Sequence, residues 1–177
     1  MRFAAYKSVS DRHLEIITED GVSMLEDVLV ARLREKGYTL SCAESCTGGL
    51  LSGRIIDVAG VSDVYKAGFV TYANEAKEKH LGVTSEALGL YGAVSEQVAA
   101  QMVLGACKAS GSSVSLATTG IAGPGGGTAE KPVGLVYIAC CVDGDVTVER
   151  HVFDGNRRQV REAAVEAALL LLEKCLG

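Results

Sequence analysis

A serine in a polar turn is the first residue of this sequence whose setting suggests chemistry. Ser45 lies in residues 43–49 (AESCTGG), between a short apolar stretch that predicts a strand and a longer one that predicts a helix. Free N–H groups and the positive dipole end at a helix amino terminus stabilise an oxyanion or a phosphate. Ser45 is therefore a candidate nucleophile. The alternative is a helix cap followed by glycines that permit a tight turn.

A nucleophilic serine needs a base, and residues 71–77 (TYANEAK) offer a lysine just past the end of a predicted strand. A desolvated Lys77 would have a lowered pKa and could act as general base, with Tyr72 relaying or donating a proton. A solvated helix lysine and a strand-end tyrosine are the alternative. A Ser–His–Asp triad is disfavoured, because no motif contains any of the three histidines, His13, His80 and His151.

Two further segments could bind an anion. Residues 119–128 (TGIAGPGGGT) follow a predicted strand and offer many backbone N–H groups, but they lack the order of a P-loop. Arg157 or Arg158, beside a predicted cap at Asn156, could bind a phosphate or a carboxylate. A flexible surface loop and ordinary helix-surface arginines are the respective alternatives.

The elements that must position these residues alternate along the chain. We predict helices over residues 23–35, 50–58, 75–80, 95–109 and 156–176, and strands over 38–43, 66–72, 114–119, 133–142 and 146–153. Helix caps are predicted at Asn74, Ser95 and Asn156, and a hairpin turn at Asp143-Gly144. This order predicts an α/β fold, a three-layer α/β/α sandwich with a mixed, mainly parallel sheet and a C-terminal hairpin. The site is expected where strands end in loops.

Length and composition limit the class of protein. The 177 residues predict one domain over residues 23–177, preceded by an N-terminal extension over residues 1–22 that has no secretory signal. A content of 48% hydrophobic and 22% charged residues excludes a disordered chain. The net charge of -5 argues against nucleic acid or an anionic membrane as partner. Six cysteines without a C-x-x-C pair favour a reducing, cytoplasmic location.

Six segments in order resemble the C-terminal domain of the CinA (competence/damage-inducible) family; they are AESCTGG, GFVTYANEAK, GAVSE, TTGIAGPGGG, EKPVG and FDGNRR. The resemblance implies a nicotinamide-mononucleotide deamidase. Such an amidohydrolase hydrolyses the carboxamide to nicotinate mononucleotide and ammonia, in pyridine-nucleotide recycling. Because residues 1–22 leave no room for a fused upstream pyrophosphatase domain, a stand-alone enzyme is expected.

The same resemblance assigns roles to residues. It implies that Ser45 is the catalytic nucleophile and that Lys77 and Tyr72 transfer protons. Backbone N–H groups at the start of the helix near Gly48, with Thr119, are expected to hold the oxyanion. Substrate contacts are expected from Glu44, Cys46, Thr47, Gly48, Thr119, Gly120 and Arg157. No metal and no cofactor is expected.

Two rival hypotheses remain open at this point. In one, Cys46 is the nucleophile, assisted by Glu44 and Lys77. In the other, the chain is a catalytically silent nucleotide-binding or regulatory CinA-like module. The expected partners are a small nucleotide substrate and further copies of the chain, in a homodimer or larger homo-oligomer, because the mean hydropathy is +0.23.

Overall fold

A computed structural model of the chain describes the backbone of residues 6–10, 13–18 and 21–177, and the side chains from Ser23 onward. The first element is an antiparallel sheet of three strands, β1 (Tyr6–Ser10), β2 (His13–Thr18) and β3 (Gly21–Met24). The segment expected to be an extension thus contains strands. The first helix, α1 (Leu25–Glu35), begins later than predicted, because Ser23 and Met24 belong to β3.

The central sheet has five strands, which are β4 (Leu40–Glu44), β5 (Tyr65–Val70), β6 (Val114–Gly120), β7 (Leu135–Val142) and β8 (Asp145–Val152). Their order across the sheet is β5-β4-β6-β7-β8. β5 and β6 flank β4 in parallel, whereas β7 is antiparallel to both β6 and β8. Only β7 therefore runs against the other four, which confirms the mixed, mainly parallel sheet and its C-terminal hairpin.

Helices cover both faces of this sheet. After α1 they are α2 (Leu50–Ile56), α3 (Asn74–Leu81), α4 (Ser85–Tyr91), α5 (Glu96–Ser110) and α6 (Arg157–Leu176), with a short 3-10 helix at Val61–Asp63. Alternate residues of β4 and β6 enter two separate cores. Cys42 and Leu116 pack with α1, α2 and α6, while Ala43 and Ala117 pack with α3, α4 and α5. A sheet buried on both faces is the expected three-layer sandwich.

Two of the three predicted caps are confirmed. Ser95 Oγ accepts a hydrogen bond from Val98 N at 3.3 Å, and Asn156 caps α6 in a capping box. The third prediction is wrong, because Asn74 is the first residue of α3 and the cap position is Ala73, which has no side-chain acceptor. The sequence analysis also missed the short helix α4.

The sheet brings the predicted site segments together. Glu44, Val70 and Gly120 are the last residues of three neighbouring strands that run in the same direction. The loops that follow these strands therefore meet at one edge. Among the described residues, no helix is long and apolar enough to span a membrane.

Candidate active site

The Ser45 turn, residues 45–49, connects β4 to α2. Ser45 N donates to Thr118 O at 2.9 Å, which continues the pairing of β4 with β6 by one residue. Gly48 and Gly49 have φ of 58° and 96°, a left-handed conformation that glycine adopts without strain. The turn is therefore fixed at its start by the sheet and bent at its end by two glycines.

Glu44 lies beneath this turn and does not line the small cavity that adjoins Ser45. Its side chain has 0% exposure. Oε2 accepts from Thr47 Oγ1 at 2.7 Å, Gly49 N at 2.9 Å and Leu51 N at 3.1 Å, and Oε1 accepts from Ser52 N at 2.8 Å and Ser52 Oγ at 2.5 Å. The carboxylate thus occupies the amino end of α2, so these N–H groups are not free to bind an oxyanion, contrary to expectation. The expected contact of Glu44 with a substrate stays a prediction, which the full burial of this residue disfavours.

Lys77 supplies a buried amine to the site. It lies in the first half of α3 with 1% exposure. Nζ donates to Ser45 Oγ at 3.0 Å, to Thr71 O at 2.7 Å and to Tyr72 O at 3.3 Å. Burial lowers the pKa of Lys77 from its usual value, and the nearby Cys46 acts in the opposite direction. The predicted serine–lysine pair therefore stands at hydrogen-bonding distance in a setting that favours the neutral amine.

Tyr72 lies at the mouth of the site. It is 62% exposed, and its hydroxyl accepts a hydrogen bond from Arg157 Nη2 at 3.0 Å. Within the described residues, no hydrogen bond joins that hydroxyl to Ser45 or Lys77. The structure therefore pairs Tyr72 with the arginine, and only its backbone carbonyl contacts the lysine.

These side chains surround a small cavity of about 210 Å³. Its lining consists of Ser45, Cys46, Tyr72, Lys77, Ala93, Val94, Thr119, Gly120, Ala122 and Arg157. Histidine is not among these described lining residues. A larger cavity of about 870 Å³ adjoins it, since Ala122 and Arg157 line both.

Thr119 and Gly120 line the small cavity, where their expected substrate contacts stay predictions, but the hydroxyl of Thr119 is already engaged. Thr119 Oγ1 donates its proton to Ala93 O at 2.7 Å. It is therefore not available to hold an oxyanion, contrary to expectation. A side chain on Gly120 would place its Cβ 2.6 Å from Leu135 O, which explains the glycine.

The three turn residues that were expected to contact a substrate differ in position; they are Cys46, Thr47 and Gly48. Cys46 lines the cavity with 5% exposure, and burial raises the pKa of its thiol to about 11. A thiolate nucleophile at Cys46 is thereby disfavoured at neutral pH. Thr47 has 0% exposure and bonds Thr118 Oγ1 at 2.7 Å. Thr47 and Gly48 are not among the described residues that line either cavity, and their expected contacts with a substrate stay predictions.

Arginines at the start of α6 face the larger cavity, which is lined by Leu50, Ala122, Pro124, Val133, Gly155, Asn156, Arg157, Arg158, Arg161 and Glu162. Arg157 Nη1 donates to Gly123 O at 2.9 Å and Arg158 Nε to Glu162 Oε1 at 2.7 Å. Arg161 was not predicted to belong to the site. Its spacing of four residues from Arg157 could have indicated it, because that spacing places both arginines on one helix face.

No cluster of three or more His, Cys, Asp or Glu side chains suited to a metal ion occurs in the described part of the chain. The polar side chains at the small cavity include the Ser45 hydroxyl and the Lys77 amine, with the Cys46 thiol, the Tyr72 phenol and the Arg157 guanidinium beside them. This set suits proton transfer and acyl transfer to an oxygen nucleophile.

The family model described as "CinA C-terminal domain" matches residues 22–176. A "CinA-like protein" of Syntrophobacter fumaroxidans is 53% identical over 86% of this chain and 36% of its own length. A "putative competence-damage inducible protein" of Clostridium acetobutylicum is 50% identical over 92% of the chain and 40% of its own length. The chain thus spans about two fifths of the curated relatives it matches.

Solved structures agree in fold. A CinA superfamily protein from Enterobacter cloacae superposes with a TM-score of 0.85 at 34% identity, over 100% of this chain and 99% of the other. A competence/damage-inducible protein from Agrobacterium tumefaciens gives 0.79 at 45% identity, over 85% and 94%.

Proposed function

Because this chain belongs to the CinA C-terminal domain family, we propose that it is an amidohydrolase that converts nicotinamide mononucleotide to nicotinate mononucleotide and ammonia. The substrate is suggested by the resemblance of its motifs to deamidases of that family. The observation that carries the chemistry is the 3.0 Å contact between Lys77 Nζ and Ser45 Oγ. Among the described residues no carboxylate bonds this amine, so the pair is suited to proton transfer.

The hydrogen-bonding capacity of Lys77 supports its role as the base. An ammonium group has three N–H donors, whereas a neutral amine has two and a lone pair. Thr71 O and Tyr72 O accept two N–H groups, and Ser45 Oγ is the third partner. In the neutral amine the lone pair therefore faces the serine hydroxyl. The lowered pKa of Lys77 increases the fraction in this form.

The reaction then runs in two halves. Ser45 Oγ attacks the carboxamide carbon while Lys77 takes the serine proton, and Lys77 returns that proton to the departing nitrogen, which leaves as ammonia. In the second half, Lys77 takes a proton from water as the water oxygen attacks the acyl carbon, and returns it to Ser45 Oγ as the ester bond breaks, which releases the carboxylic acid and restores the serine hydroxyl. One water is consumed and one ammonia is released in each cycle.

The oxyanion needs donors other than those first expected. In the Ser45 turn, the N–H of Ser45 bonds Thr118 O and that of Gly49 bonds Glu44. Cys46 lines the small cavity and directly follows the nucleophile. We assign its backbone N–H to the oxyanion, and losing one such donor typically costs about 10²–10³-fold in kcat.

The two adjoining cavities suit the two ends of a nucleotide. The small cavity holds Ser45 and Lys77 and would take the carboxamide ring. The larger one has three arginines and would take the phosphate, with Arg157 between the two. In this arrangement Tyr72 closes the mouth through its bond to Arg157.

An ammonia-release assay tests this proposal. Purified protein is supplied with nicotinamide mononucleotide, its riboside, free nicotinamide and a nicotinamide dinucleotide. We expect ammonia from the mononucleotide, loss of that activity in Ser45→Ala, and retention in Ser110→Ala, a serine at the end of α5 remote from the cavity. Full activity in Ser45→Ala would overturn the assignment.

The second candidate, a catalytically silent nucleotide-binding module, predicts a different result from the same protein. It requires tight binding of nicotinamide mononucleotide with no ammonia at any protein concentration. Calorimetric titration beside the ammonia assay distinguishes the two.

A further inference from the structure

Arg161 connects the larger cavity to the Ser45 turn. It lies on α6, one turn beyond Arg157, and lines the larger cavity. Its Nε donates to Cys46 O at 3.0 Å and its Nη2 to Thr47 O at 2.6 Å. We propose that Arg161 is a positioning residue, which holds the Ser45 turn in its reactive conformation and couples that conformation to a phosphate bound in the larger cavity. This inference rests on the proposed function for its substrate.

The two bonds fix two backbone carbonyls of the turn. Each peptide unit is planar and trans, so its C=O and N–H point in opposite directions. With Cys46 O and Thr47 O directed at Arg161, the N–H groups of Thr47 and Gly48 must point away from it. The guanidinium therefore sets the orientation of the two peptide units that follow Cys46.

Gly48 shows how closely the guanidinium approaches. A Cβ at Gly48 would lie 3.3 Å from Arg161 Nη2. Glycine at this position thus serves both the left-handed backbone conformation and the contact with the arginine.

Glu44 and Arg161 both hold the turn, Glu44 through a backbone N–H group and Arg161 through two backbone carbonyls. The Glu44 carboxylate accepts from the N–H of Gly49 at 2.9 Å, and the Arg161 guanidinium donates to the two carbonyls. A charged partner makes such hydrogen bonds stronger than neutral ones. The nucleophile therefore sits on a segment whose polar groups are fixed by one buried anion and one cation at the cavity wall.

The cation also has capacity for a ligand. A guanidinium carries five N–H donors, and the remaining N–H groups of Arg161 make no hydrogen bond within residues 23–177. A phosphate in the larger cavity could bind these while Nε and Nη2 stay on the turn. Binding energy from the phosphate would then stabilise the reactive turn and raise kcat, in addition to lowering KM.

The test combines a change of residue with a change of substrate. Full-length wild type, Arg161→Met and Arg161→Lys are assayed for ammonia release with nicotinamide mononucleotide and with the riboside, which lacks the phosphate. Arg34→Met is the matched control, because Arg34 Nη2 also donates to a backbone carbonyl, that of Gly60 at 3.2 Å, and is absent from the described lining of both cavities.

We expect kcat for the mononucleotide to fall about 10²-fold in Arg161→Met, the cost of a small displacement of a reacting group. The lysine variant, which keeps the charge but not the paired donors, should retain part of the rate. The ratio of kcat for mononucleotide to kcat for riboside should exceed one in wild type and in Arg34→Met, and approach one in Arg161→Met. A merely structural arginine would leave that ratio unchanged.

Amide hydrogen exchange over residues 45–50 gives a readout that needs no substrate. Exchange should accelerate in Arg161→Met and stay at the wild-type rate in Arg34→Met. A wild-type kcat in Arg161→Met, an increase in KM alone, or unchanged exchange would each overturn the inference.

If wild type releases no ammonia from any substrate, the proposed function fails, and exchange alone decides whether Arg161 holds the turn. If Arg161→Met does not fold, the same measurements are made on Arg161→Lys, and the same results support or overturn the inference.

Discussion

Arg54 and Lys77 are two basic side chains with opposite surroundings. Arg54, on α2, is 10% exposed; its Nε contacts Glu26 Oε1 at 2.6 Å, and its Nη2 contacts Glu166 Oε1 on α6. Burial alone would lower the pKa of Arg54, but its hydrogen bonds to the two carboxylates raise it. Lys77 is 1% exposed and its hydrogen bonds go to a hydroxyl and two carbonyls.

The difference separates a structural charge from a reactive one. The charge of Arg54 is balanced by two carboxylates, and the ion pairs join α2 to α1 and α6. Among the described residues, no carboxylate balances the charge of protonated Lys77, so the neutral amine is favoured more than in a lysine exposed to water. Protonation of Lys77 in the folded state therefore costs free energy.

Lys77→Met should have the largest effect on rate. Without the base, kcat for ammonia release should fall by about 10²–10⁴-fold, the usual contribution of a general base. The melting temperature should rise or stay constant, because an apolar side chain replaces a buried amine. Lys79→Met, at an exposed position of the same helix, is the control. A variant that keeps its rate, or that melts well below wild type, would contradict the role of Lys77.

Arg54→Met should show the reverse pattern. Removing one partner of a fully buried ion pair typically lowers the free energy of unfolding by about 3–5 kcal/mol, since the remaining carboxylates lose their cation. Because Glu166 is 20% exposed, we expect a smaller loss here. The rate per folded molecule should match wild type, because Arg54 is not among the described residues that line either site cavity. Urea unfolding monitored by circular dichroism measures the first quantity. A loss of kcat with normal stability would reverse the comparison.

The pH dependence of both rate and stability follows from the lowered pKa of Lys77. Catalysis needs the neutral amine, so kcat/KM should rise with pH to a plateau, with a midpoint below the ordinary lysine value of 10.5. Between the folded pKa and 10.5 the unfolded chain binds more protons, so the free energy of unfolding should rise with pH across that interval. Lys77→Met should flatten this slope. A profile that falls with pH over the same interval would exclude a neutral-lysine base.

Tyr72→Phe should have the smallest effect. Its hydroxyl bonds Arg157 and not Lys77, so its removal costs one exposed hydrogen bond, about 0.5–1.5 kcal/mol or roughly tenfold at most. The loss should appear mainly in KM for the mononucleotide. Steady-state kinetics measure it, and a kcat as low as that of Lys77→Met would restore Tyr72 as a proton-transfer group.

Much of this site follows from strand order in the sequence. Ser45 follows β4 and Lys77 lies shortly after β5, and parallel neighbours end at the same edge, so their proximity is predictable from the pattern. The position of Glu44 could also have been predicted. Alternation along β4 places it on the face of Cys42, which packs toward α2, and not on the face of Ala43.

Other features depend on tertiary packing, which no local sequence pattern predicts. Arg161 reaches Cys46 O only because α6 packs beside the Ser45 turn, 115 residues away in the chain. The hydroxyl of Thr119 is engaged by Ala93 O, a contact between β6 and the loop before α5. The N-terminal strands β1 to β3 are short, and they precede the first strongly periodic segment, so hydrophobic spacing gave no sign of them.

The most direct test of the serine–lysine account is the pKa of Lys77 itself. Full-length protein labelled with ¹³C at lysine Cε is titrated by NMR, with Lys77→Met to assign the resonance. If Lys77 is the base, it should titrate below 10.5. A pKa at or above 10.5 would mean that the amine stays charged beside Ser45, and would contradict its role as the base.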